Sequence, residues 1–184
     1  MRVRTGLIGL CAGLLLAAAV QAAAPQPAKP VDIDRFMGRW YEIARTPNPN
    51  QKDCWAATTD WARKAGNRFT FVQTCRRGSP DGPKKVWQGG ATIADPRTRA
   101  KLDLSFLGGV IKQEYWVLDH ADDYSWAVVG TPGGNYVWLF SRQPSVSEAE
   151  RAQLLQQVRA LGYDTSKLQF AARSDGKTSV QGGG

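Results

Sequence analysis

Residues able to do chemistry are few in this 184-residue chain. The one histidine, His120, lies in the stretch LDHADDY beside Asp119, Asp122 and Asp123. That cluster has the donors for a metal ion, but an Asp-rich turn between extended segments is ordinarily solvated. No second His, C-x-x-C or Gly-rich phosphate loop accompanies it. A Ser–His–acid triad would have to bring His120 to Ser79 or Ser105, neither of which has a base near it in sequence. We therefore expect no catalytic residue, no metal and no cofactor. The remaining chemistry is that of three cysteines, Cys11, Cys54 and Cys75.

Their context decides what they do. Residues 1–22 read as a signal peptide: Arg2 and Arg4 make a positive start, and residues 7–20 are apolar. That run of 14 is too short to span a bilayer comfortably, and the small residues of VQAAAPQP put cleavage after Ala22. Lipid attachment at Cys11 would want a small residue before it. Leu10 stands there, and the apolar run continues past the Cys, so export without a lipid anchor is the expectation. The exported chain then holds two cysteines in an oxidising compartment. WAATTDWAR and RFTFVQT flank the turn signal Lys64-Ala65-Gly66-Asn67, and folding the chain about it brings Cys54 and Cys75 within disulfide reach. Free thiols there, one of which would be needed for a Cys nucleophile, are thereby disfavoured.

Removing the two signal arginines from 24 basic residues leaves 22 against 16 acidic ones, a net charge of +6. The charges are scattered, and in an exported chain no nucleic-acid partner is expected; a mild attraction to anionic surfaces or ligands is the most they support.

Positioning these residues falls to extended segments. Residues 23–31 form a spacer, VDIDRFMG suits a helical turn ended by Gly38, and eight extended segments follow near 39–46, 54–63, 68–76, 84–94, 100–107, 113–119, 124–130 and 135–142. The breaks between them are rich in Gly, Pro, Asn and Asp and mostly too short for crossover helices, so neighbours should pair antiparallel. Phe69, Phe71 and Gln73 alternate with Arg68, Thr70 and Val72; Leu102, Leu104 and Phe106 alternate with Lys101, Asp103 and Ser105. Ser147 and Glu150 have capping-box spacing before a helix with an apolar stripe of Leu154, Leu155, Val158 and Leu161, ended by Gly162. A short strand near 168–171 follows, and residues 174–184 read as a disordered tail.

Eight antiparallel strands hide their edges by closing. The predicted fold is all-β: an eight-stranded up-and-down barrel over residues 32–173 with the C-terminal helix packed outside. Trp61, Phe69, Phe71, Phe106, Tyr115, Tyr136 and Trp138 are candidates for its inner face, and Gly89-Gly90 leave room for a bend or a cavity. A barrel of this size either fills with side chains or holds one small ligand; the alternation alone leaves both open.

Three motifs sharpen this. Gly38-Arg39-Trp40-Tyr41-Glu42-Ile43-Ala44 is similar to the G-x-W-Y-E-I-A opening of lipocalins. Asp123-Tyr124 falls before the seventh segment, where that family has T-D-Y, although Asp122 stands in the Thr position. WLFSRQPS, with Arg142, is similar to its third motif and precedes a helix as the family's does. From Asp32 to about Phe170 the chain resembles a lipocalin, specifically the bacterial outer-membrane, Blc-like group.

The resemblance implies that Gly38, Trp40 and Arg142 are structural: Trp40 closes the barrel floor with Arg142 across its indole. It also implies a cup lined by Ala57, Thr59, Trp61, Phe71, Leu104, Phe106, Tyr115, Val117, Tyr136 and Trp138, taking small hydrophobic ligands such as fatty acids or lysophospholipids for storage or transport in envelope lipid maintenance. Basic residues of the open-end loops would meet the headgroup. The location implied is the periplasm or the periplasmic face of the outer membrane, with surface contact and a homodimer both compatible. Two other readings are an enzyme or isomerase on the same scaffold, and a protein-interaction module with a filled barrel.

Overall fold

The computed structural model describes residues 24–171; the predicted signal peptide, residues 1–22, and the predicted tail, residues 174–184, lie outside them. Asp32 starts the first element. Its carboxylate accepts from the amides of Asp34 and Arg35 and caps a single helical turn, α1 (Ile33–Phe36). Gly38 then opens β1 (Gly38–Arg45) at φ +89, a conformation that glycine adopts without steric cost.

Eight further strands follow: β2 (Cys54–Arg63), β3 (Arg68–Arg77), β4 (Lys84–Ile93), β5 (Lys101–Phe106), β6 (Ile111–His120), β7 (Trp126–Gly130), β8 (Val137–Ser141) and, after helix α2 (Glu148–Ala160), the short β9 (Gln169–Phe170). From β2 to β8 each strand pairs antiparallel with the next, and β8 pairs β1. Gly38–Tyr41 of β1 pairs back on β2, which closes eight strands into a barrel, while β9 takes the edge of β1 at Ala44 and Arg45, beyond the β2 ladder. The eight barrel strands lie within two residues of the boundaries predicted from alternation and turn chemistry.

That alternation sorts the side chains into two cores. Trp40, Trp61, Phe69, Phe71, Leu102, Leu104 and Phe140 pack inside the barrel. Leu118, Val128, Val137 and Leu139 point out and meet Leu154 and Val158 of α2. Burying that Leu and Val contributes about 1.5–3 kcal/mol each, and the Ser147–Glu150 capping box satisfies the helix start.

Residues 24–31 are not the free spacer that composition suggests. Ala24 donates its amide to Pro132 (3.0 Å), Ala28 to Leu118 (2.8 Å) and Val31 to Thr98 (2.8 Å), while Lys29 donates to Asp122 (2.8 Å). Small side chains let this strap lie close against the wall, with Ala24 and Val31 buried.

Candidate ligand-binding cavity

The closed end is built around Trp40. Its indole N–H donates to the Phe36 carbonyl (2.8 Å), and the Arg142 guanidinium lies 3.7 Å from the indole centroid. Nη1 of Arg142 donates to Arg39 O (2.7 Å), and Nη2 reaches the carbonyls of Arg35 (2.7 Å), Phe36 (3.1 Å) and Met37 (2.8 Å). The α1 turn is thereby held across the barrel end by a cation that serves four carbonyls and a π-face together.

Above this plug the interior is aromatic and filled. Phe36, Trp61, Phe71 and Phe106 form a chain of ring contacts with centroids 5.0–6.0 Å apart. Gly89, cross-strand from Phe71, leaves no empty space: a Cβ there would come 2.6 Å from the Phe71 ring and 2.3 Å from Ser105 O. The missing side chain is what lets the ring approach β4 this closely. Beneath this layer a residual void of about 10 Å³, bordered by Trp40, Thr59, Trp61 and Val117, is at the threshold for a single water.

Toward the other end, where the connections 46–53, 78–83, 107–110 and 131–136 lie, the barrel is open. A cavity of about 490 Å³ is lined by Trp87, Phe106, Tyr115, Tyr136 and Trp138 together with the amides Asn48, Asn50, Gln51, Gln73, Gln88 and Gln113. Its volume is that of a typical small-molecule site. Not one of its lining residues carries a formal charge.

Behind that lining lies a buried charge pair. The β1–β8 register shifts between Glu42 and Ala44, so Ile43 and Ala44 both belong to the outer core while Glu42 and Arg45 pair with one another, both buried. Arg45 also donates to the carbonyls of Gln51 (2.9 Å) and Cys54 (3.0 Å). Gln51 links this pair to the cavity: its amide donates to Glu42 (2.8 Å), and its oxygen accepts from Trp138 Nε1 (2.9 Å) and Asn48 (2.9 Å). Tyr115 is pushed well above the ordinary phenol range, chiefly by burial; a hydrogen bond with Gln73 opposes the shift and the Glu42 carboxylate adds to it.

The predicted lining residues therefore separate by depth. Phe106, Tyr115, Tyr136 and Trp138 border the open cavity, and Thr59, Trp61 and Val117 border the residual void. Phe71 and Leu104 are consumed by the aromatic layer. Ala57 follows a register shift in β2, where Ala56 has φ +48, and packs against Cys54 and Cys75 instead of the cavity. Those two cysteines are bonded, with Cα atoms 5.4 Å apart.

Sequence reasoning missed the amides. Gln73 was legible as the next inward position after Phe71, but Asn48, Asn50 and Gln51 reach the cavity from a connection whose path no periodicity announces. His120 is away from the cavity: it stacks on Tyr124 at 4.3 Å between centroids, and its ring nitrogens face the carbonyls of Ala121 (2.8 Å) and Pro30 (3.1 Å).

Comparison with known proteins agrees with this geometry. A lipocalin-like domain model matches residues 31–173. Temperature-induced lipocalin-1 of Arabidopsis thaliana is 32% identical over 154 residues, covering 80% of this chain and 82% of its own. The outer membrane lipoprotein Blc of Escherichia coli strain K12 is 28% identical over 158 residues, covering 81% and 86%. Among solved structures, insecticyanin of the tobacco hornworm Manduca sexta superposes with a TM-score of 0.67 at 20% identity, over 85% of this chain and 89% of that one. A closed eight-stranded barrel with an outer helix, three motifs at its closed end and this family match together make the chain a lipocalin of the Blc-like group.

Proposed function

We propose that the protein binds single-chain amphipathic lipids, fatty acids or lysophospholipids, and stores or carries them at the cell envelope without converting them. The observation that carries this reading is the cavity: about 490 Å³, open at one end, aromatic, and lined without formal charge. An acyl chain laid against Phe106, Tyr136 and Trp138 gains about 25 cal/mol per Å² of apolar surface removed from water. A carboxylate would find no cation among the lining residues, so its place is the rim. There Lys85 lies with its ammonium 4.3 Å from the ring of the lining residue Trp87. Location in the periplasm or on the periplasmic face of the outer membrane follows from the predicted signal peptide, and the Blc relatives, outer membrane lipoproteins by name, support it.

Native mass spectrometry of the protein purified without its signal peptide should find a bound lipid. Titration with a long-chain fatty acid should quench tryptophan fluorescence to a one-to-one endpoint. Tyr136→Ala, a half-buried lining residue, should weaken that binding about tenfold with the fold retained. A protein free of lipid and indifferent to fatty acids would instead be the filled-barrel interaction module, and turnover of an apolar substrate would make it an enzyme.

A further inference from the structure

Among the described residues the large hydrophobic side chains most open to solvent are four: Val86 (54% exposed), Leu107 (72%), Val110 (82%) and Ile111 (50%). Scattered single residues would mean little, but these four gather at one place. Leu107 and Val110 belong to the connection between β5 and β6, Ile111 begins β6, and Val86 lies on the neighbouring β4. Val86, Leu107 and Ile111 also border the open cavity.

The barrel wall has a notch at this point. β4 pairs with β3 along Lys84–Thr92, but its ladder with β5 begins only at Gly89, opposite Phe106, where β5 ends. The upper part of β4 therefore has no strand partner on that side, and the notch opens toward the cavity between Val86 and the β5–β6 tip. Cations surround it. Leaving aside the buried Arg45, which is paired with Glu42, Lys52, Arg76, Arg77, Lys84, Lys85 and Lys112 stand within two residues of the mouth connections against two carboxylates, Asp53 and Asp81, a local net charge of +4. Asp53 is already paired with Arg77 at 3.1 Å.

We infer that this notched rim docks on an anionic lipid bilayer, the apolar tip entering the interface and the lysines facing the headgroups, so that a lipid passes sideways between bilayer and cavity. A projecting apolar tip ringed by positive charge matches a negatively charged interface, which rewards both features at once. The choice of a bilayer over a protein partner rests on the lipid-carrier reading above.

The test is flotation of the protein, without its signal peptide, with phosphatidylcholine vesicles containing or lacking phosphatidylglycerol. Binding should be strong only where phosphatidylglycerol is present and should fall as salt is raised. A Leu107→Ser, Val110→Ser, Ile111→Ser variant should lose about tenfold in partitioning at an unchanged melting temperature, since the three side chains are exposed. Lys84→Glu with Lys85→Glu should remove the preference for phosphatidylglycerol. Failure of the native protein to float with anionic vesicles, or equal flotation of the serine variant, overturns the inference and leaves the rim to a protein partner. Fatty-acid titration in vesicle-free solution separates the two readings. Docking without fatty-acid binding sinks only the carrier, and binding without docking sinks only the rim.

Discussion

Arg142 lies about a hundred residues after Trp40, yet the two form one device. A planar guanidinium covers the indole and reaches four carbonyls between Arg35 and Arg39, at the end of α1 and the start of β1; an ammonium is a point charge and does not span that set. Trp40→Ala should cost on the order of 3–5 kcal/mol, as loss of a buried large side chain does. Arg142→Lys should cost roughly 1–3 kcal/mol through unmet carbonyls, although charge is kept. Urea unfolding measures both, and a lysine variant as stable as the parent would contradict the carbonyl clamp. This pair was legible because motif residues name it. The neighbouring Glu42–Arg45 pair was not: three positions apart on a strand, the two should face opposite ways, and only the bulge between Glu42 and Ala44 turns both inward.

The bulge in β1 has a counterpart in the β2–β3 hairpin, where the ladder slips between Trp55 and Thr58. The Cys54–Cys75 bond fastens the hairpin beyond that slip, on the mouth side, across a sequence separation of 21. Replacing both cysteines by alanine should therefore cost about 3 kcal/mol in the chain-entropy account. Denaturant midpoints of the oxidised parent and the double variant measure it, and equal midpoints would show that the ladder alone holds this end. Strands were readable to within two residues because period-2 alternation and turn residues are both local signals. The slip was not readable, and Ala57 consequently turned out beside the disulfide rather than in the cavity. The strap over residues 24–31 was missed for a related reason: its three backbone bonds go to distant carbonyls and leave no periodic trace.

At the scale of the molecule, the sequence pattern specified a barrel but left open whether it was full. The structure divides that question by height, with rings packed below and a cavity above. Gly89 illustrates the difficulty, since its bare backbone suggested space and a ring from across the sheet occupies it. Burying phenols also gives the whole fold an alkaline limit. Burial raises Tyr115 and, to a lesser depth, Tyr163 above the value of about 10 that both have when unfolded. Above that pH the unfolded chain binds fewer protons than the native one, so stability is full below about pH 10 and declines as pH rises further. Melting temperatures measured across this range should fall, with tyrosinate absorbance from the buried rings arising only on unfolding. Early titration of all five tyrosines in the folded protein would contradict it.

The strap settles which way the molecule faces when it is held by one end. Ala24 is tied to Pro132, in the β7–β8 connection, so the chain reaches the barrel at its rim and runs down the wall from there. The last strand runs the same way, since β9 is antiparallel to β1 and leads from the level of Arg45 toward the closed end. The chain thus enters at the rim and leaves heading away from it. On a sensor chip, coupling through a group ahead of Ala24 would turn the cup toward the support and hinder loading. Coupling after Ala171 would leave the cup facing the flow.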